Sequence, residues 1–236
     1  MTRPYVTLSC AMSMDGYLDT AVPCRLAVSN DADWDRVDQL RADSDAIMVG
    51  ASTVRRDDPR LLIRSERRQR ERLAAGRSRS PIKVTVTATG DVPPTAAFFT
   101  EGEVEKLVYC PRDRARAVEE LLGGRATVIP LGEQVAMAEV LDDLGERGVD
   151  RLMVEGGGRV LTQFLAEELA DELQLVVAPF FVGESGAPRF VEAARFPWTA
   201  ERRATLADTY RIGDVVLLRY ALSSRCEGPV APAART

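Results

Sequence analysis

The chain has 236 residues, 45 % of them apolar, enough for a sizeable core in one large domain or two small ones. A formal net charge of −5 argues against a nucleic-acid binder, whose electrostatic footprint is strongly basic. The absence of histidine removes the commonest metal ligand and general base and excludes Ser-His-Asp and Cys-His mechanisms.

The four cysteines, Cys10, Cys24, Cys110 and Cys226, fall singly, so neither a zinc site nor a thioredoxin-type motif is supported and reduced thiols are expected. No charged-then-apolar leader opens the sequence and no apolar run approaches the ~20 residues of a membrane span. The expectation is a soluble, cytoplasmic protein.

In chain order, Tyr5 to Ala11 reads as a strand that ends in small or flexible side chains and turns at Asp15-Gly16. Ser29 and Asn30 are capping candidates for a helix over Asp31 to Arg41. A strand over Ala46 to Val49 leads into Gly50 to Leu61, where Thr53 and Asp57 lie one helical turn apart among Arg55, Arg56 and Arg60 before Pro59 stops any helix. Arg64 to Arg79 is helix-compatible but polar on nearly every face and reads as a solvated excursion.

Strands over Ile82 to Thr87, Lys106 to Cys110, Ala126 to Leu131 and Arg151 to Val154 alternate with helices over Arg112 to Leu122, Val135 to Arg147 and Arg159 to Leu169. This alternation predicts an α/β fold with a mainly parallel sheet. Glu172 to Phe181 and Asp214 to Leu222 flank a stretch punctuated by Gly183, Gly186, Pro188, Pro197 and Gly213, without a crossover helix, so an antiparallel edge is expected there. No linker separates two cores, which predicts one domain over 1–222. From Ser223 to 236 the sequence loses periodicity and is expected to be a disordered tail containing Cys226.

Two segments carry the chemistry. Leu152 to Gly158 is an apolar run ending in Glu155 and three glycines; the helix that follows would turn its free N–H groups toward whatever lies above the strand, a place for a phosphate. A tight strand-to-helix turn is the alternative reading of the glycines. Glu155, at a strand end, requires a cationic or hydrogen-bond-donating partner, with Arg41 and Arg64 as candidates. In Gly50 to Leu61, a hydroxyl, a carboxylate and several guanidiniums gather at a strand's carboxyl end, where α/β proteins bind ligands, although a capped turn with solvent-facing arginines would look the same.

Arg3-Pro-Tyr-Val-Thr-Leu, Met12-Ser-Met-Asp-Gly, Leu40 to Gly50, Thr53 to Leu61, Val154-Glu-Gly-Gly-Gly, and Leu169-Ala-Asp-Glu-Leu followed by Val177 to Gly183 together resemble the riboflavin-pathway pyrimidine reductases. These occur as the C-terminal half of a bacterial bifunctional deaminase-reductase and as free-standing archaeal and fungal enzymes. The resemblance spans roughly residues 3 to 222 and implies a dihydrofolate reductase-like fold, a homodimer, and NADPH-dependent reduction of a ribosylamino-pyrimidine 5′-phosphate to its ribityl form. It places Met12, Thr53, Asp57, Ala88, Gly156, Gly157, Gly158, Arg159 and Val160 at cofactor positions and Arg41, Leu61, Arg64 and Glu155 at substrate positions.

It identifies no proton donor, and hydride transfer belongs to the cofactor, so the lack of histidine costs nothing. Many bacterial members carry a lysine at the place of Ser9, a basic residue at the place of Tyr17 and a tryptophan within the segment corresponding to Cys24 to Ser29. Those differences leave a pteridine-like or folate-like substrate open, and a non-catalytic nucleotide-binding module is the alternative of another class.

Overall fold

The computed structural model describes residues 3–22 and 26–226. Among these residues nine strands form one sheet: β1 (Tyr5–Ser13), β2 (Ala46–Gly50), β3 (Ile82–Val86), β4 (Lys106–Pro111), β5 (Thr127–Leu131), β6 (Arg151–Gly156), β7 (Glu172–Ala178), β8 (Thr205–Ile212) and β9 (Val215–Ala221). Their order is β5-β4-β3-β2-β6-β1-β7-β9-β8. All pairings from β5 to β7 are parallel, whereas β7–β9 and β8–β9 are antiparallel, as the sequence led one to expect for the C-terminal edge.

Among the described residues seven helices flank it: α1 (Asp31–Asp43), α2 (Ala51–Asp57), α3 (Glu66–Ala74), α4 (Ala97–Thr100), α5 (Ala115–Leu122), α6 (Met137–Glu146) and α7 (Gly158–Ala166). The period-2 alternation of the strands divides the core. Met48, Val84, Leu107, Leu152 and Val154 pack with α6 and α7, while Ile47, Val49, Val108 and Met153 pack on the opposite face with α1, α2, α4 and α5. Burial on both faces explains why the central strands read as continuous apolar runs.

Three expectations are corrected. The strand β8 is absent from the sequence reading, because its run Thr-Leu-Ala-Asp-Thr-Tyr-Arg-Ile lies at the sheet edge with only Ala207 fully buried. The arginine-rich excursion is instead α3, packed on α1: Arg68 pairs with Asp35 and Asp38 at 2.6 and 3.0 Å, and Arg72 donates to the carbonyls of Ala42 and Ser44. Both arginines are buried because their donors are satisfied there, those of Arg68 by carboxylates and those of Arg72 by carbonyls, which a polarity pattern does not reveal. Ser223 to Cys226 are also ordered. Ser223 Oγ donates to Asp171 at 2.6 Å, Arg225 donates to the carbonyls of Arg3 and Pro4, and Cys226 is buried. The rest of that tail, 227–236, and Cys24 lie outside the described residues.

Candidate active site

The carboxyl ends of the parallel strands border two adjoining cavities. The first, about 360 Å³, is walled by α1, α2 and the start of α7, with Trp34, Arg41, Thr53, Asp57, Leu61, Glu155, Gly157, Gly158 and Arg159 among its lining. The second, about 620 Å³, lies over the ends of β2 and β3 and includes Ala88 and Val160. Ser52, Arg159 and Glu192 line both. Met12, Gly156 and Arg64 line neither: Met12 is half-buried against the core, and Arg64 is exposed beside the cavity, its guanidinium carbon 5.2 Å from the Trp34 ring centroid.

Strand parity determines where Glu155 points. It shares the face of Met153, toward α1, and Arg41 reaches it from the last turn of that helix. The pair is bidentate, with Nε to Oε1 at 2.6 Å and Nη2 to Oε2 at 2.7 Å, and Arg41 Nη1 also donates to the Leu62 carbonyl at 3.2 Å. Of the two candidate partners for Glu155, the structure therefore selects Arg41. Burial disfavours the Arg41 cation, yet the adjacent carboxylate outweighs it and raises the guanidinium pKa. Each carboxylate oxygen retains a lone pair for a ligand.

The three glycines have separate reasons. Gly156 has φ +117°, where a side chain is strained, and its peptide bond to Gly157 is cis. A Cβ on Gly157 would lie 3.0 Å from Thr53 Oγ1. A Cβ on Gly158 would lie 2.4 Å from the Arg189 carbonyl oxygen, so this glycine admits the chain's own 187–192 segment. No side chain caps α7 at Gly157, which leaves its first N–H groups available at the cleft. Leu61 is 1 % exposed with φ +49°, an uncommon conformation for leucine that its burial holds in place and that no sequence pattern announces.

Two loops border the cleft and are tied together. Asp15 accepts from the backbone N–H groups of Val182 and Gly183, and Arg56 joins α2 to Asp19 at 3.2 Å. Ser13 is fully buried and spends its hydroxyl within this turn, donating to Asp15 and accepting from Tyr17 N–H. Cys10 lines the first cavity, but burial pushes its thiol up to about 12 against a smaller opposing effect of Arg36, so it offers no thiolate near neutral pH. Among the described residues no cluster of carboxylates and thiols could hold a metal, and no helix is long and apolar enough to cross a membrane.

The family model described as the RibD C-terminal domain matches residues 4–218. The chain belongs to that family. Among curated RibD-domain relatives, the 2,5-diamino-6-ribosylamino-4(3H)-pyrimidinone 5′-phosphate reductase of Archaeoglobus fulgidus is 36 % identical over 199 residues, covering 82 % of this chain and 89 % of that protein. The reductase of the same name from Methanothermobacter thermautotrophicus is 30 % identical, covering 93 % of this chain and 99 % of its own.

Among solved structures, Acinetobacter baumannii RibD superposes with a TM-score of 0.75 at 26 % identity, over 93 % of this chain and 58 % of that one. A pyrimidine reductase-like protein from Corynebacterium diphtheriae has a TM-score of 0.80 at 21 % identity, over 92 % of this chain and 91 % of its own, which supports the shared fold. The RibD-domain architecture is the dihydrofolate reductase-like one expected, a mostly parallel sheet with an antiparallel C-terminal edge.

Proposed function

We propose that the protein is an NADPH-dependent reductase that converts a ribosylamino-pyrimidine 5′-phosphate to its ribitylamino form, acting as a cytoplasmic homodimer built from one domain that includes the ordered residues up to Cys226. The observation that carries this reading is the cleft itself. A cavity anchored by the Arg41–Glu155 pair adjoins, at the start of α7, a second cavity walled by Gly50, Ala51, Ser52 and Ala88. Small walls and uncapped helix N–H groups fit a dinucleotide, whose pyrophosphate would meet Gly157 to Val160 and whose nicotinamide end would extend past Thr53 and Asp57.

When bound, the reduced nicotinamide supplies the hydride to the sugar's C1; the protein's task is alignment and charge. Glu155, held planar against Arg41, accepts hydrogen bonds from amino groups of the pyrimidine. Leu61 packs beneath the ring, and Arg64, fixed on Trp34, stands at the cavity's edge for the substrate's phosphate.

The deciding measurement is cofactor oxidation with purified protein, offering the diamino and deaminated pyrimidine phosphates beside dihydrofolate. Turnover of either pyrimidine is the expected result. Turnover of dihydrofolate alone, or NADPH binding without turnover, would overturn the substrate assignment.

A further inference from the structure

Five arginines line the first cavity: Arg36, Arg41, Arg56, Arg159 and Arg189. Four face a carboxylate: Arg36 meets Asp33 at 2.6 Å, Arg41 meets Glu155 at 2.6 Å, Arg56 meets Asp19 at 3.2 Å and Arg159 meets Glu192 at 3.2 Å. Among the described residues no such ion pair is seen for Arg189. Its Nη2 donates to the Tyr17 hydroxyl at 2.9 Å, and its guanidinium carbon lies 4.5 Å from the Tyr17 ring centroid. These contacts orient the cation without cancelling its charge.

The orientation is built in from several sides. Tyr17 is 5 % exposed and bridges to Arg189 through the backbone; Leu18 N–H donates to the Pro188 carbonyl at 2.8 Å and Phe190 N–H to the Gly16 carbonyl at 3.0 Å. The missing side chain of Gly158 lets the Arg189 carbonyl seat against α7. Arg189 is exposed at the cavity wall, so water screens its charge; an oriented guanidinium without such a pair is nonetheless open to an anion, and its planar fork fits two phosphate oxygens at once.

Resting on the reductase reading for the ligand's identity, we infer that Arg189 is a phosphate-binding residue of this cleft, positioned by Tyr17. Three phosphate groups are within that chemistry: the substrate's monoester, the cofactor's pyrophosphate and the cofactor's 2′-phosphate. Arg189 lines the cavity of the Arg41–Glu155 pair, which the start of α7 also borders, so the substrate's monoester is the assignment tested first and the cofactor's phosphates are the other outcome.

The test is calorimetric titration of the wild type, Arg189→Gln, Arg189→Lys and Tyr17→Phe with ribose 5-phosphate, with ribose, and separately with NADPH. Arg189→Gln is expected to weaken ribose 5-phosphate binding about ten-fold or more and leave NADPH affinity within about two-fold, as loss of a charged hydrogen bond requires. Arg189→Lys should recover part of the loss, and Tyr17→Phe should show a smaller loss of the same kind. The reverse pattern, with NADPH weakened instead, keeps Arg189 as a phosphate ligand and assigns it to the cofactor.

Unchanged affinity for both probes, or equal weakening toward ribose, overturns the inference, provided the thermal midpoint shows that the variant is folded. Binding of both probes without turnover of any pyrimidine would overturn the proposed function alone and leave this titration to decide Arg189. Failure of the wild type to bind either probe would overturn both.

Discussion

Replacing Glu155 by glutamine keeps its shape and removes the charge that compensates Arg41. The Arg41 and Glu155 side chains are 11 % and 15 % exposed, so Arg41 would be left largely desolvated without an anion, with the glutamine amide oxygen and the Leu62 carbonyl at 3.2 Å as its acceptors. Removing one partner of a buried pair costs about 3–5 kcal/mol; the residual exposure and the retained carbonyl bond bring the expectation here to about 2–3 kcal/mol. For a chain of 236 residues that lowers the melting midpoint by about 4–12 °C. Arg41→Gln and the double variant complete a cycle by urea or thermal unfolding, with an expected coupling of about 1.5 kcal/mol or more. A coupling below about 0.5 kcal/mol would show that the bidentate pair contributes little, and the account of Glu155 as held for its ligand by Arg41 would fail.

Gly158→Ala should be more damaging than Gly157→Ala, because its Cβ meets a backbone carbonyl at 2.4 Å whereas that of Gly157 meets a rotatable hydroxyl at 3.0 Å. An overpacking loss of about 1–3 kcal/mol with faster amide exchange over 187–192 is expected, and an unperturbed loop would refute it. Lys83, fully buried with Nζ donating to the carbonyls of Phe98 and Glu101 at 3.1 and 2.8 Å, is pushed down to about 8 by burial. Since the unfolded lysine binds its proton more tightly than the folded one, wild-type stability should rise relative to Lys83→Met between about pH 8 and 10.5, by up to about 3 kcal/mol, and the difference should be flat below pH 8. Parallel pH–stability curves for the two proteins would refute this.

Much of the fold was legible because the central strands are buried on both faces and the helices between them keep an apolar stripe. The edge strand β8 was not, since an edge packs on few neighbours and leaves no apolar alternation to read. The packing of α3, not its helicity, was hidden for the opposite reason: Arg68 and Arg72 are core residues only by virtue of Asp35, Asp38 and carbonyls contributed from α1. At the site, the need of Glu155 for a partner followed from its position after an apolar run. The choice of Arg41 over Arg64 depended on α1 lying against β6, a contact spanning 114 residues of sequence. Spacing likewise gave no means of separating the roles of the three glycines, since what Gly158 accommodates arrives from Arg189 in a loop beyond β7.

The clasp between Arg225 and the carbonyls of Arg3 and Pro4 brings both ends of the described chain to one point beside Asp171. The described part of the chain is therefore close to a closed ring. A short linker from Cys226 to Arg3 would allow it to be reopened elsewhere, and a circular permutant with new termini in the exposed turn at Gly123-Gly124 would keep every strand of the sheet and both walls of the cleft intact.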